Sequence, residues 1–343
     1  RFQALVEQSA AVVMGIGDDC ARLALPDGHE LLTSTDLLIS GRHFYPDADP
    51  CDIGYKALAV NLSDLAAMGA KPLGFTLGLA LGQVRDSWLD GFSNGLLQAA
   101  QQYTCPLIGG DTTRAASAED CTVSITVFGQ STPPHLPLTR NAAKLGDEVW
   151  VSGCPGLARL GLFNLALQRD SLTPLMSATA QDTFLTFREQ LPEPLVAKAQ
   201  RALLRPTPRI DLGYHLLGLA NSAIDLSDGL AGDLGHILKA TGLGAVLDAR
   251  AIAKLWERQG VGASSWPDFC LELTMTGGDD YELCFTASPD RQGEVLITAS
   301  HLGLELTCIG RICDEVGLSV MSGRQRKPWV QSSFDHFQKG PAQ

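Results

Sequence analysis

Residues 49–81 read DPCDIGYKALAVNLSDLAAMGAKPLGFTLGLAL, and this stretch decides the fold. Asp49 carries an N-cap side chain, and Pro50 presets φ for the first helical position, so a helix starts here. The Ala/Leu-rich run that follows has little to stop it before Gly69. On that helix Lys56, Val60 and Asp64 recur every four residues and share a face, with Asn61 three residues before Asp64. Beyond Gly69 the run Phe75 to Leu81 reads as a strand. A helix that turns at a glycine directly into a strand is the mark of a mixed α/β chain.

The same alternation extends outward. Leu31–Leu37 and Thr122–Phe128 read as strands, and a helix is expected over Ser87–Tyr103. The uncharged segment STPPHLPLT (131–139), with three prolines, is the best linker and divides the chain into domains 1–135 and 136–343. Past it come a strand Asp147–Ser152, a helix after the Gly153–Gly156 turn, and helices at Leu195–Leu204 and Ile210–Ala220. A strand Ser222–Leu226, a helix Asp228–Ala240 and a strand Tyr281–Thr286 complete the reading. Gly109-Gly110-Asp111 and Gly277-Gly278-Asp279 form a weak internal echo.

Composition removes several function classes. The 343 residues carry 26 Lys+Arg against 38 Asp+Glu, a net charge of −12, which disfavours nucleic acid as a partner. No apolar run approaches the length of a membrane span, and no signal-peptide pattern is present. The nine cysteines are scattered with no C-x-x-C, so a cytoplasmic, reducing location without structural zinc is expected. Gly-Lys does not occur, which removes the P-loop. Gly15-Ile16-Gly17 lacks the third glycine of a dinucleotide turn, and Asp47-Ala48-Asp49 lacks the Gly and Glu of a calcium loop. Gly91-Phe92-Ser93-Asn94-Gly95 matches the serine-hydrolase pattern but falls inside a helical run, away from the strand-to-helix elbow that chemistry needs.

The acids cluster instead beside glycine, Ser or Thr. The groups are Gly17-Asp18-Asp19, Ser34-Thr35-Asp36, Ser63-Asp64, Gly109-Gly110-Asp111, Asp225-Leu226-Ser227-Asp228 and Gly277-Gly278-Asp279-Asp280. Each alone is ordinary cap or turn chemistry. Together they suit a site where carboxylates hold hard cations and bare backbone N–H groups approach phosphates.

At these clusters the chain resembles the thiamine-monophosphate kinase family. The matching text is GIGDDCA (15–21), STDLLISGRHF (34–44), YKALAVNLSDLAAMGAKP (55–72), LIGGDTTR (107–114), LTRNAAKLGD (138–147), AIDLSDGLAGDLGHI (223–237), TGGDDYELCFT (276–286) and FDHF (334–337). The resemblance implies phosphorylation of thiamine monophosphate by ATP to thiamine diphosphate. It implies an aminoimidazole ribonucleotide synthetase-like fold of two α/β domains, and a homodimer whose N-terminal strands form a barrel at the interface. It also implies several Mg²⁺ ions, held by Asp19, Ser34, Thr35, Asp36, Asp64, Asp111, Asp225 and Asp228, with Ser34 and Thr35 partly through backbone oxygen. Gly110, Asp111, Arg140 and Ser227 would contact ATP, while His43, Asp279 and Phe334 would line the thiamine-phosphate pocket. No residue is expected as a general base. Two departures from the family stand out: Asp279 replaces its usual Glu, and Gly156-Leu157-Ala158 replaces a Gly-Asp-Ser turn. The alternatives are another ATP-dependent synthetase of the superfamily, or a nucleotide-binding pseudoenzyme.

Overall fold

The computed structural model describes residues 11–16, 20–173 and 175–330; Asp19 and Phe334 lie outside them. Two compact units divide the chain. One comprises the residues up to Pro137 together with Leu204–Gly218; the other comprises Leu138–Leu203 and the residues from Leu219 onward.

In the first unit β1 (Val12–Met14) and β2 (Arg22–Leu23) pair as a short antiparallel ribbon. β3 (Leu31–Ile39), α1 (Pro50–Ala67), β4 (Lys71–Leu81), α2 (Asp86–Gln102), β5 (Leu107–Arg114) and β6 (Cys121–Gln130) follow. Four of these strands form a sheet in the order β3-β6-β4-β5, with β4 and β5 parallel and the other pairs antiparallel. Helix α1 covers one face, because β3 alternates: Leu32, Ser34, Asp36 and Leu38 turn inward, and the residues between them turn out to solvent. The sheet is open, with β3 and β5 as its edges, so one chain does not close a barrel.

Asp49 caps α1 as its sequence suggests, its Oδ1 accepting from the Cys51 N–H at 2.9 Å. Helix α2 packs on α1 at backbone distance. A Cβ on Gly95 would lie 1.8 Å from the Cys51 carbonyl oxygen, and one on Gly54 would lie 2.1 Å from that of Phe92. The hydrolase-like pattern is therefore a helix-packing device, and Ser93 spends its hydroxyl on the Leu89 carbonyl at 2.7 Å.

The second unit holds β7 (Glu148–Ser152), α3 (Leu157–Gln168), α4 (Ala178–Arg188) and α5 (Glu193–Leu204). The chain then returns to the first unit as α6 (Ile210–Leu216), which packs on α1 so closely that a Cβ on Gly213 would meet the Ala66 carbonyl oxygen at 1.9 Å. This contact is why a single cut near residue 135 does not describe the units. The second unit continues with β8 (Ser222–Asp225), α7 (Leu230–Thr241), β9 (Gly244–Asp248), α8 (Ala249–Arg258), α9 (Pro267–Thr276), β10 (Leu283–Ala287), α10 (Gln292–Leu302), β11 (Leu306–Cys313), β12 (Gly317–Ser322) and β13 (Gln325–Pro328). Its sheet runs β13-β12-β9-β11-β7-β10-β8, antiparallel except for β12 beside β9. Fully buried Trp256 anchors its core and donates its indole N–H to Thr274 Oγ1 at 2.9 Å.

Candidate active site

In the first unit the β3–α1 contact gathers the predicted residues. Ser34 Oγ donates to Asp64 Oδ2 at 2.6 Å, and the Asp36 N–H donates to Asn61 Oδ1 at 2.9 Å. Asn61 is 1 % exposed and ties its own amide back to the Ala57 carbonyl, so it acts as a rigid post for β3. Thr35 points to the other face, where its hydroxyl bonds that of Thr126 on β6 at 2.7 Å. A role for Thr35 on the α1 side would therefore fall to its backbone.

Asp111 stands apart from this group. It lies on the far edge strand β5, paired with Gly78 of β4 and three strands from β3, or about 14 Å at ordinary strand spacing. The Gly109-Gly110-Asp111 stretch lies within β5 and not on a turn after it. Glycine is required at 110, because a Cβ there would lie 2.2 Å from the Leu77 carbonyl oxygen. His43 sits just past β3; its Nδ1 accepts from the Ile39 N–H at 3.0 Å, which places a neutral ring's proton on Nε2.

In the second unit the exit of β8 carries Asp225, Ser227 and Asp228. Asp225 is buried, and the N–H groups of Asp228 and Gly229 donate to Asp233 Oδ2 at 3.1 and 3.0 Å. Burial pushes the Asp233 carboxyl well above the usual carboxylate range; Asp225 and Asp228 add to the effect and the two N–H donors oppose it. Asp233 was not singled out from the sequence, where it is one more acid in the first turn of a helix. Arg140 is exposed, and its segment is tied to β8 by the Thr139–Ser222 bridge and by the Ala142 N–H donating to Ser222 Oγ at 3.0 Å.

The 277–282 loop completes this cluster. The Asp279 N–H donates to the Ser227 carbonyl and the Tyr281 N–H to that of Leu226, both at 2.8 Å. Asp280, next in sequence, has a different job. Its two oxygens accept from the Gly156 N–H (2.6 Å) and the Ala158 N–H (2.9 Å), capping α3 from a distance. Burial raises its pKa while those two donors lower it. The echo between the two Gly-Gly-Asp motifs is thus not structural: one lies in a strand, the other in the loop before β10. That loop also delays β10, which starts at Leu283 because Asp279 and Tyr281 adopt positive φ.

The donors in these clusters are hydroxyl and carboxylate oxygens, the set that hard cations such as Mg²⁺ prefer. Among the described residues no group of three or more His, Cys, Asp or Glu stands together as a ready metal cage. Mg²⁺ commonly takes only one or two protein carboxylates and completes its shell with substrate phosphates and water, so the residues present fit it.

Comparison with known proteins agrees with this chemistry. The family described as "AIR synthase related protein, N-terminal domain" matches residues 17–131. Thiamine-monophosphate kinase of Escherichia coli K12 is 42% identical over 327 residues, 95% of this chain and 92% of that protein. The crystal structure of thiamine-monophosphate kinase from Stenotrophomonas maltophilia K279a superposes with a TM-score of 0.74 at 38% identity, covering 91% of each chain. A structure described as AaThiL complexed with AMPPCP and TMP superposes at 0.72 with 27% identity, covering 92% of this chain and 89% of that one. With relatives this similar across nearly the whole length, this chain belongs to the thiamine-monophosphate kinase family.

Proposed function

We propose that this chain transfers the γ-phosphate of ATP to thiamine monophosphate, releasing ADP and thiamine diphosphate. The observation that carries the reading is the likeness, over 92% of this chain, to a structure whose bound molecules are described as AMPPCP and TMP. In the reaction the bond from Pγ to its bridging oxygen breaks, and a bond forms from Pγ to a phosphate oxygen of the acceptor. That oxygen is already a competent nucleophile near neutral pH, so the residues need to position and stabilise charge, with no general base and no phosphoenzyme.

Mg²⁺ would supply charge neutralisation between two anionic substrates. Several ions are assigned: Ser34, Asp36, Asp64 and Asp111 with the Thr35 backbone are ligands in the first unit, Asp225 and Asp228 are ligands in the second, and Asp19 is assigned from sequence. Arg140 offers planar, always-charged donors to ATP phosphate, and Gly110 and Ser227 offer backbone and hydroxyl contacts. His43 and Asp279 are assigned to thiamine monophosphate: Nε2–H of His43 as a donor, and Asp279 as the counter-charge to the cationic ring. Phe334 joins them from sequence alone. The half of the β3 face that points away from α1 carries Leu31, Leu37 and Ile39, exposed at 49, 51 and 43 %, which supports a homodimer formed across this sheet. Nine free cysteines and the lack, among the described residues, of a helix able to cross a membrane support a cytoplasmic location.

The test is transfer of γ-³²P from ATP into thiamine diphosphate, resolved by chromatography. Label in thiamine diphosphate is expected. Label moving only to another acceptor would favour a different synthetase of the superfamily, and nucleotide binding without transfer would favour a pseudoenzyme.

A further inference from the structure

We propose that Tyr281 is a positioning residue that aims the Asp279 carboxylate at the cationic part of the acceptor; the inference rests on the acceptor role assigned to Asp279 above. Asp279 and Tyr281 are non-glycine residues with φ of +67° and +52°, a left-handed conformation that is rare outside glycine and held only where the surroundings enforce it. The surroundings here do so. Between them, Asp280 is fixed by the Gly156 and Ala158 N–H groups. Beyond them, Glu282 Oε2 accepts from Ser152 Oγ at 2.5 Å and the Glu282 carbonyl accepts from the Leu226 N–H at 2.8 Å. The Asp279 and Tyr281 N–H groups are spent on Ser227 and Leu226. Gly278 before them admits no side chain, since a Cβ would lie 2.5 Å from the Ser227 carbonyl oxygen.

Pinned at alternate residues, the backbone curls so that the side chains of 279 and 281 meet. The Tyr281 hydroxyl donates to Asp279 Oδ1 at 3.3 Å. Tyr281 is 8 % exposed, and a buried phenol needs an acceptor. It takes one oxygen of Asp279 and leaves the other oriented. Arg159, on the first turn of α3 and stacked over Phe163 at 4.9 Å, adds a positive field: its guanidinium, pulled down by burial, is held up by the charges of Asp279 and Glu272. The carboxylate therefore has a fixed direction that a short Asp side chain on a relaxed loop would not have.

The experiment is steady-state kinetics of wild type, Tyr281→Phe, Asp279→Asn and the double variant. Tyr281→Phe is expected to raise KM for thiamine monophosphate about threefold to tenfold, the worth of one ordinary hydrogen bond, as the 3.3 Å length suggests, with kcat and KM for ATP within twofold. In the Asp279→Asn background the same change is expected to add nothing. 3-Fluorotyrosine at 281, which keeps the ring and strengthens the donor, is expected to hold KM near wild type, and it serves as the reading if the Phe variant does not fold. Unchanged KM in Tyr281→Phe, an equal rise in both backgrounds, or fluorotyrosine with KM raised threefold or more would each overturn the positioning role. Wild-type enzyme that makes no thiamine diphosphate would instead overturn the functional reading itself.

Discussion

Asp64 and Asp280 show how two similar acids part company once their partners are known. Asp64 is half-buried, bonded by the Ser34 hydroxyl and set among oxygen donors on the sheet face, whereas Asp280 is spent on the start of α3. Asp64→Asn keeps the volume and the hydrogen bond but removes the charge, so kcat is expected to fall by about two orders of magnitude or more while the thermal midpoint stays within a few degrees. Asp280→Ala is expected to show the reverse: a loss of about 1–3 kcal/mol in urea unfolding, from an uncapped helix and two orphaned N–H groups, with KM for ATP little changed. The thiols give a pH prediction. Burial pushes Cys121 up to about 11 and Cys270 up to about 12, so both are neutral thiols at pH 8 and react slowly. Exposed Cys20 is expected to take up a thiol reagent first at pH 8, as read by mass spectrometry of the labelled peptides.

Helices α1 and α2 touch backbone to backbone, so their packing tolerates no added side chain at the contact. Gly95→Ala forces a methyl group toward the Cys51 carbonyl, so the helices must separate, and a destabilisation of several kcal/mol is expected, on the order of the overpacking cost or beyond. Ser93→Ala, two residues away in the same pattern, is expected to leave phosphoryl transfer unchanged. The start of α1 is legible in sequence because Asp-Pro caps are local chemistry, and β3 is legible as a Leu/Thr-rich run, although its strict in–out alternation appears only in the structure. The Gly109-Gly110-Asp111 run, which reads as turn chemistry in sequence, lies inside a strand. A Gly-Gly-Asp run looks like a turn, but here glycine is present so that β5 can approach β4, and the partner strand decides this. Strands β11–β13 are not legible, since β13 has no apolar residue besides its proline and all three gain their partners only in the seven-stranded sheet; helix α8 carries a legible signal, the Asp248 cap and Ile252, Leu255 and Trp256 on one face, that the sequence reading missed. The candidate site is legible in sequence only as a set of acids, without the hydrogen bonds that distinguish one acid from another. Asp233 and Tyr281 gain their roles from hydrogen bonds that no spacing rule encodes.

For the whole molecule, the net charge of −12 takes on a local meaning. Acids are gathered on β3–α1 and at the β8 exit, where burial first, and then the charges of Asp225 and Asp228, push the Asp233 carboxyl up. A polyphosphate substrate would deepen the repulsion unless cations accompany it, so turnover is expected to depend on divalent metal. The most direct test is the rate of thiamine diphosphate formation from ATP and thiamine monophosphate as Mg²⁺ is removed by chelation and then restored, in wild type and Asp64→Asn. Product is expected only with Mg²⁺ in the wild type, with recovery on its return, and at a rate in Asp64→Asn that excess Mg²⁺ does not bring back to the wild-type level. Turnover that persists without divalent metal, or an Asp64→Asn variant as fast as wild type, would contradict this dependence.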